Sequence, residues 1–98
     1  MVDGGGSLHR ALLGGNLAAA AVRNGWAGIV INGAVRDVSE LNSCPIGIMA
    51  LALLPMPTQR NDQGERDVSV HIQGVWIHPR DWLYADADGI VVSQKCLE

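Results

Sequence analysis

An arginine followed directly by an aspartate is the clearest pair of chemical groups in the sequence. Arg36 and Asp37 stand at the end of an apolar run, and Glu40 follows three residues after Asp37. A planar guanidinium matches the geometry of a carboxylate, and an aspartate offers the hard oxygen that a divalent cation takes together with water. The group could therefore hold a metal-bound oxo acid. A surface ion pair in the first turn of a helix is the alternative.

A second candidate is a pair of glycines that precedes an alanine-rich segment. Gly14 and Gly15 lead directly into a run that opens with Asn16 and Leu17. The first amides of a helix lack partners within the helix and attract anions, and glycines let a ligand approach the backbone closely. Taken alone, the pattern indicates an ordinary capped helix start, and an anion site is the alternative.

Other motifs indicate turns or packing rather than chemistry. The segment "DGGGSLHR" lacks the third glycine of a dinucleotide-binding loop and the Lys-Ser or Lys-Thr of a P-loop, so we interpret it as a turn. The segment "DADGIVV" lacks the spacing of an EF-hand and predicts a hairpin turn. The three tryptophans are expected in core or interface packing, and no catalytic role is assigned to any of the three histidines.

The single lysine limits the possible reaction mechanisms. Lys95 lies close to the end of the chain, so a Schiff-base mechanism has almost no candidate nucleophile. Carbanion or enolate chemistry would then need a metal as electron sink.

Composition indicates one small globular domain. Of the 98 residues, 48% are hydrophobic and 17% are charged, which excludes a disordered chain. The net charge of -3 and the seven scattered Lys and Arg residues disfavour direct nucleic-acid binding. The longest apolar stretch, "PIGIMALALLPMP", is too short to span a bilayer, and the polar opening does not match a secretory signal. We therefore expect no membrane partner, a cytoplasmic location and two reduced cysteines.

The order of the elements predicts an α/β fold. "MVD" is interpreted as the tail of a strand, followed by a helix over residues 16–24 and a strand over residues 27–32 that is covered on both faces. Strand, helix and strand form a βαβ unit with a parallel strand pair. A short helix within residues 34–43, a buried strand over 46–53 and a polar loop over 55–67, exposed or functional, come next. An antiparallel β-meander is predicted for the C-terminal third.

These segments together resemble a known family. "VDGGGSLHRALLGGNLA", "NGWAGIVINGAVRDVSELN", "IGIMALALLP", "GERDVSV" and "WLYADADGIVVS" closely resemble the regulator of ribonuclease activity A and 4-hydroxy-4-methyl-2-oxoglutarate aldolase family, especially its plant-type members. The resemblance implies a swivelling β/β/α fold over a single domain of residues 1–98 that lacks an N-terminal segment. It also implies a homotrimer with active sites at the subunit interfaces.

The resemblance further implies an activity and its residues. Its enzymes are class II aldolases that use Mg²⁺ or Mn²⁺ to cleave 4-hydroxy-4-methyl-2-oxoglutarate or related 4-hydroxy-2-oxo acids to pyruvate and an oxo acid, often with oxaloacetate decarboxylase activity. The positions that match the family's substrate-binding residues are Gly14, Gly15, Asn16, Leu17 and Arg36. Asp37 matches the metal ligand, Arg36 and Asp37 are the catalytic pair, and Glu40 is expected to orient the metal's outer shell.

One position departs from many aldolase-active members, and one alternative function follows from the same family. Gly15 replaces an aspartate that helps to hold the metal's waters in those members, although plant-type members also have "GGN" here. The bacterial ribonuclease regulators share the fold and act as non-catalytic protein-binding inhibitors. They tend to lose the aspartate of the Arg-Asp pair, whereas this chain retains Asp37.

Overall fold

A computed structural model describes residues 1–58, 64–86 and 88–97 of the chain. The chain divides into two compact units, residues 1–61 and 62–98. The elements of the first unit are β1 (Val2–Asp3), β2 (Ala11–Leu13), α1 (Gly15–Arg23), β3 (Gly28–Asn32), β4 (Ala34–Val35), α2 (Val38–Ser43), β5 (Gly47–Met49) and β6 (Ala52–Leu53). The second unit contains β7 (Val70–Ile72), β8 (Val75–Ile77), β9 (Trp82–Asp86) and β10 (Gly89–Ser93).

Two parallel sheets form the frame of the first unit. One sheet has the strand order β1-β3-β5 and the other has the order β2-β4-β6. Val2 pairs with Ile31 across β1 and β3, which confirms the predicted parallel pair. The chain passes from the first sheet to the second at Gly33, between β3 and β4, and again between β5 and β6.

The predicted single strand over residues 46–53 is wrong. The structure divides this run into β5 and β6, which belong to different sheets. The Leu51 N–H donates a hydrogen bond of 2.9 Å to the Gly33 carbonyl. The connection between β3 and β4 and the connection between β5 and β6 therefore lie side by side. Leu51 and Leu53 are also exposed in this chain, contrary to the prediction of a buried strand.

The helix α1 begins earlier than its sequence indicates. Its N-cap is Gly14, with extended backbone, rather than the expected Asn16. The C-terminal prediction is confirmed, because Gly25 follows the helix with φ of +77°, the left-handed conformation that glycine adopts without strain. The side chain of Asn24 donates to the Ala20 carbonyl at 2.7 Å and supports this end.

The core lies between α1, α2 and the strands that face them. Its buried residues are Leu13, Ala18, Ala21, Ile29, Ile31, Val35 and Leu41. Small alanines on the buried side of α1 let the helix lie close to the sheet, while Ile29 and Ile31 alternate toward it along β3. Val30 between them is only half-buried, so the prediction that β3 is covered on both faces is wrong for this chain.

Strand β2 was not predicted, and it has neighbours on both edges. On one edge it pairs with β4, where Leu13 lies opposite Val35. On the other edge, the Ala11 N–H donates to the Met56 carbonyl at 2.8 Å, and the Thr58 N–H donates to the Ala11 carbonyl at 3.0 Å. The chain therefore crosses from β6 to the far side of β2, where residues 56–58 act as a further edge segment.

The glycine-rich loop after β1 is held by its own hydrogen bonds. The amides of Gly4 and Gly6 both donate to the Asn32 carbonyl at 3.0 Å, and the Gly5 amide donates to Asp3 at 2.9 Å. Hydrogen bonds from the Asn32 side chain and the Gly5 amide hold the pKa of Asp3 below its usual value. These amides bond to the protein itself, as expected for a structural turn.

The described part of the second unit consists of two hairpins. Antiparallel pairing joins β7 to β8 and β9 to β10, as predicted. The two pairs form separate two-stranded sheets among the described residues, whereas the four strands of a continuous meander would share one sheet. The Asp86 carboxylate accepts the amides of Asp88 and Gly89 at 2.8 and 3.2 Å, which confirms the predicted hairpin turn. The His71 and Trp76 rings stack with centroids 4.8 Å apart.

Many apolar side chains are exposed. Trp26, Trp76 and Trp82 are 57%, 60% and 49% exposed, so the prediction of core packing is wrong for them, while interface packing stays a prediction. The first unit also has two open grooves of about 420 and 580 Å³, of which the larger is mainly apolar. Within the described ranges, no helix is long and apolar enough to cross a membrane.

Candidate active site at the start of α1

The site forms where β4 ends beside the start of α1. The Arg36 N–H donates a hydrogen bond of 2.9 Å to the carbonyl of Leu13, the last residue of β2. Because Gly14 and α1 follow Leu13 directly, this bond brings the Arg36-Asp37 pair against the first turn of the helix. The structure thus brings together the two predicted candidates.

Asp37 has a left-handed backbone conformation, and its side chain contacts both Gly15 and Arg36. It is the N-cap of α2 and has φ of 62° and ψ of 50°, a left-handed conformation that is uncommon for residues other than glycine, asparagine and aspartate. Its Oδ2 accepts the Gly15 N–H at 3.0 Å and lies 3.6 Å from Nη1 of Arg36. The side chain of Arg36 is 36% exposed and that of Asp37 is 30% exposed, which leaves both accessible to a ligand.

Gly14 provides the space in which this pair lies. A Cβ at residue 14 would come within 2.8 Å of Asp37 Oδ2 and 2.9 Å of Arg36 Nε. Real Cβ atoms do not make such contacts, so any side chain here would displace the guanidinium and the carboxylate. The sequence analysis predicted that the glycines leave space for a ligand to approach the backbone. In the structure, the space at Gly14 is filled by the protein's own charged groups.

Gly15 provides the same space for Glu40. A Cβ at residue 15 would overlap Oε2 of Glu40 and would lie 3.1 Å from its Cβ. The Glu40 carboxylate therefore lies over Gly15, beside the carboxylate of Asp37 over Gly14. Both negative groups face the N-terminus of α1, where the helix dipole favours negative charge.

A small cavity of about 60 Å³ opens beside this arrangement. Its lining residues are Ala11, Leu12, Leu13, Gly14, Asn16, Leu17, Arg36, Pro57 and Thr58. Four of the five predicted substrate-binding residues are in this lining, whereas Gly15 contributes its amide to Asp37 instead. The Gly15 amide therefore already has an acceptor within the protein. An anion bound at residue 15, as predicted, would have to compete with Asp37 for this amide.

The donor set fits a hard divalent cation that keeps part of its water shell. Within the described residues, no group of three or more His, Cys, Asp and Glu side chains forms a metal cage. Asp37 and Glu40 nevertheless place two carboxylates over consecutive glycines. Mg²⁺ is commonly bound by one or two carboxylates with water and substrate oxygens completing the shell. The residues present therefore fit Mg²⁺ or Mn²⁺ better than a metal that needs four protein ligands.

Sequence reasoning missed Pro57 and Thr58 as cavity residues. The only signal was the polar loop over residues 55–67, predicted to be exposed or functional. Its first residues reach the cavity by pairing with Ala11, which no local pattern reveals. Residues 59–63 of that loop lie outside the described residues.

The fold and site together define a class of protein. It is an α/β domain with two small parallel sheets, in which an arginine-aspartate pair packs on a glycine-initiated helix. The profile of the RraA-like family, described as Aldolase/RraA, matches residues 1–92, and the chain belongs to this family.

Individual relatives agree with this assignment and carry different names. The chain is 63% identical over 93 residues to a protein of Albidiferax ferrireducens named "Putative 4-hydroxy-4-methyl-2-oxoglutarate aldolase", covering 95% of this chain and 54% of the relative. It is 48% identical to a structure titled as the RNA-processing inhibitor RraA from Thermus thermophilis, with a TM-score of 0.93 over 96% of this chain and 59% of the other. A structure titled as S-adenosylmethionine: 2-dimethylmenaquinone methyltransferase from Geobacillus kaustophilus is 44% identical, with a TM-score of 0.95 over 98% and 60% of the two chains.

Two facts limit what the names establish. The chain spans little more than half the length of these relatives. The three names describe three different activities on one fold, so the fold alone does not choose among them. The choice depends on the residues of the site.

Proposed function

We propose that the protein acts as a divalent-metal-dependent aldolase on 4-hydroxy-4-methyl-2-oxoglutarate or related 4-hydroxy-2-oxo acids, releasing pyruvate and a second oxo acid. The observation that carries the proposal is the packing of Arg36, Asp37 and Glu40 on the paired glycines at the start of α1. A guanidinium and two carboxylates in one place suit an anionic substrate and a cation together. Oxaloacetate decarboxylation is proposed for the same site, because it also produces pyruvate through an enolate.

Each residue has a role that its position supports. Cleavage of the C3–C4 bond turns the C4 hydroxyl of the substrate into the carbonyl of the second oxo acid, and the hydroxyl proton passes to water. The electron pair of the broken bond leaves pyruvate as its enolate, which then takes up a proton from water at C3. Arg36 binds the 2-oxo acid and balances the negative charge that grows on the C2 oxygen. The amides of Asn16 and Leu17 lie in the first turn of α1, where no intrahelical acceptor exists, and they orient the carboxylate.

Asp37 is the residue that would hold the cation, which is Mg²⁺ or Mn²⁺ in this proposal, and Glu40 would orient the water in its outer shell. The bound cation supplies Lewis-acid polarisation of the C2 oxygen. Asp37 presents its carboxylate from a position fixed by the Gly15 amide and Arg36. Glu40 supplies a second carboxylate in the space above Gly15, which compensates for the aspartate that many family members have at that position.

The direct test is metal-dependent release of pyruvate. We expect the purified chain to release pyruvate from 4-hydroxy-4-methyl-2-oxoglutarate with Mg²⁺ or Mn²⁺, measured by coupling to NADH oxidation. A chelator should abolish the activity, and excess metal should restore it. Substrate that stays intact at every metal concentration would refute the proposal.

Gly15→Ala tests the role of the space over this glycine. The alanine Cβ would push the Glu40 carboxylate aside, and we expect kcat/KM to fall about tenfold, in the range of lost outer-shell support. The melting temperature should change by only a few degrees. The flexible end of Glu40 can move away and alanine favours the helix, whereas the Glu40 Cβ, 3.1 Å from the new Cβ, must shift slightly.

Gly47→Ala is the matched control, since a Cβ there meets open space. It should leave the rate unchanged. Full activity of Gly15→Ala would show that the position of Glu40 over residue 15 is not needed.

A second candidate function is a non-catalytic regulator of ribonuclease activity. The similarity to the structure titled as an RNA-processing inhibitor, 48% identical over 96% of this chain, is the observation that favours it. Such a protein would contact the nuclease rather than RNA, consistent with the net charge of -3. Adding the purified chain to a ribonuclease cleavage assay tests this role. Unchanged cleavage, together with metal-dependent turnover, would reject it.

The exposed apolar side chains support an oligomer, which we propose is a homotrimer with sites near its interfaces. Large exposed apolar patches mark contact surfaces. Trp26, Leu51 and Leu53 are examples in the first unit. Light scattering on the active fraction measures the mass, and an active monomer would reject the trimer.

A further inference from the structure

Thr58 and Arg36 approach the cavity from opposite edges of β2. Arg36 follows β4 and its amide bonds to the Leu13 carbonyl at 2.9 Å. Thr58 belongs to the segment on the other edge, where its amide bonds to the Ala11 carbonyl at 3.0 Å. Both residues are therefore fixed to the same three-residue strand, and both line the cavity of about 60 Å³.

The spacing of strands sets the distance between these two sides. Neighbouring strands lie about 4.8 Å apart and a strand rises about 3.3 Å per residue. Arg36 and Thr58 are two strand spacings apart and bond to residues two positions apart on β2, so their backbones are separated by roughly 12 Å. Arg36 and Thr58 thus both border the cavity, which has a volume of about 60 Å³. Of the residues that line the cavity, Asn16, Arg36 and Thr58 have polar side chains.

The backbone before Thr58 has little conformational freedom, although Thr58 itself is exposed. It follows Pro57, which has a fixed φ, and Met56, which is restricted to extended backbone because a proline comes next. Threonine itself is branched at Cβ and has few side-chain conformations. Its hydroxyl can therefore bind a ligand with little loss of conformational entropy.

We propose that the Thr58 hydroxyl donates a hydrogen bond to the substrate carboxylate that Arg36 binds from the other side of the cavity. A carboxylate accepts about four hydrogen bonds. In the proposed site the amides of Asn16 and Leu17 supply two, and one N–H of Arg36, whose other N–H faces the C2 oxygen, supplies a third. One acceptor position is therefore left for Thr58. Thr58 is thus a substrate-binding residue for the three-carbon oxo-acid part of the substrate. This inference rests on the proposed function, in which the cavity takes a 2-oxo acid.

Thr58→Val and Thr58→Ser test the proposal, with pyruvate in the presence of Mg²⁺ as the probe. Valine keeps the branched shape and removes the hydroxyl, whereas serine keeps the hydroxyl. By calorimetry we expect valine to raise the Kd for pyruvate about tenfold, the effect typical of one hydrogen bond to a charged group, and serine to change it less than about threefold. In turnover, valine should raise KM with kcat nearly unchanged.

The outcomes separate this inference from the proposed function. If the wild-type chain binds pyruvate without cleaving the substrate, the aldolase proposal fails, and the Kd values of the valine and serine variants still decide the role of Thr58. Equal Kd values for wild type and Thr58→Val would overturn the inference even in an active enzyme. A similar loss of binding in both variants, accompanied by a lower melting temperature, would assign Thr58 a purely structural role. A wild-type chain that binds no pyruvate would overturn both proposals.

Discussion

Asp37→Asn is expected to remove nearly all metal-dependent pyruvate release, with kcat lowered about 10³-fold. The substitution keeps the size of the side chain and an oxygen that can accept the Gly15 amide, but it removes the negative charge that we propose binds the cation. Loss of one group that stabilises developing charge commonly costs 10² to 10³ in rate. Asparagine tolerates the left-handed backbone at this residue, so the melting temperature should change by only a few degrees. Steady-state kinetics and thermal melting of the same preparation measure both quantities.

Asp67→Asn is a matched control for this prediction. Asp67 also has a left-handed backbone, with φ of 55°, but it is exposed and does not line the cavity. Its replacement should leave kcat unchanged. If Asp37→Asn retains wild-type kcat over the full range of Mg²⁺ concentrations, Asp37 is not the metal ligand.

Arg36→Lys is expected to raise the KM for the 2-oxo acid by roughly 100-fold. Lysine keeps the positive charge but loses the planar fork that binds both oxygens of a carboxylate. It also removes the guanidinium whose Nε and Cζ atoms lie over Gly14, so the remaining charge is less well positioned. Hydrogen bonds to charged groups contribute about 1.5–3 kcal/mol, which corresponds to the expected range of loss. Initial rates over a wide range of substrate concentration give KM and kcat separately.

Arg23→Lys is the control for this substitution. Arg23 is exposed in the last turn of α1, where either cation interacts favourably with the helix dipole. Its KM should equal that of the wild type. An unchanged KM in Arg36→Lys would mean that the residue contributes charge alone or does not contact the substrate.

Much of the site could be predicted because its signals are local. An arginine-aspartate pair at the end of an apolar strand and two glycines before an alanine-rich helix are visible in short windows. The family resemblance supplied their roles, and the structure places Arg36 and Asp37 against Gly14 and Gly15. The sequence could not show that Glu40 occupies the space over Gly15, because that contact depends on the packing of α2 against α1.

The strand arrangement was harder to predict for a physical reason. β2 has only three residues, and its pairing partners come from residues 34–35 and from the segment beginning at Met56, far along the chain. Local hydrophobic pattern contains no information on such pairings. The run over residues 46–53 looked like one buried strand because all its side chains are apolar or small. Apolar composition indicates that side chains avoid water, but it does not say which surface covers them, and Leu51 and Leu53 are exposed in this chain.

The hydrogen bond between the Gly15 amide and Asp37 restricts the conformation of the Asp37 side chain before any ligand binds. Its Oδ2 is held at 3.0 Å by that amide and lies 3.6 Å from Arg36, so rotation about the side-chain bonds is already restricted in the folded chain. The conformational entropy of the Asp37 side chain is therefore lost during folding, and little more would be lost when a cation binds. A preorganised carboxylate of this kind would bind a cation more tightly than a mobile carboxylate.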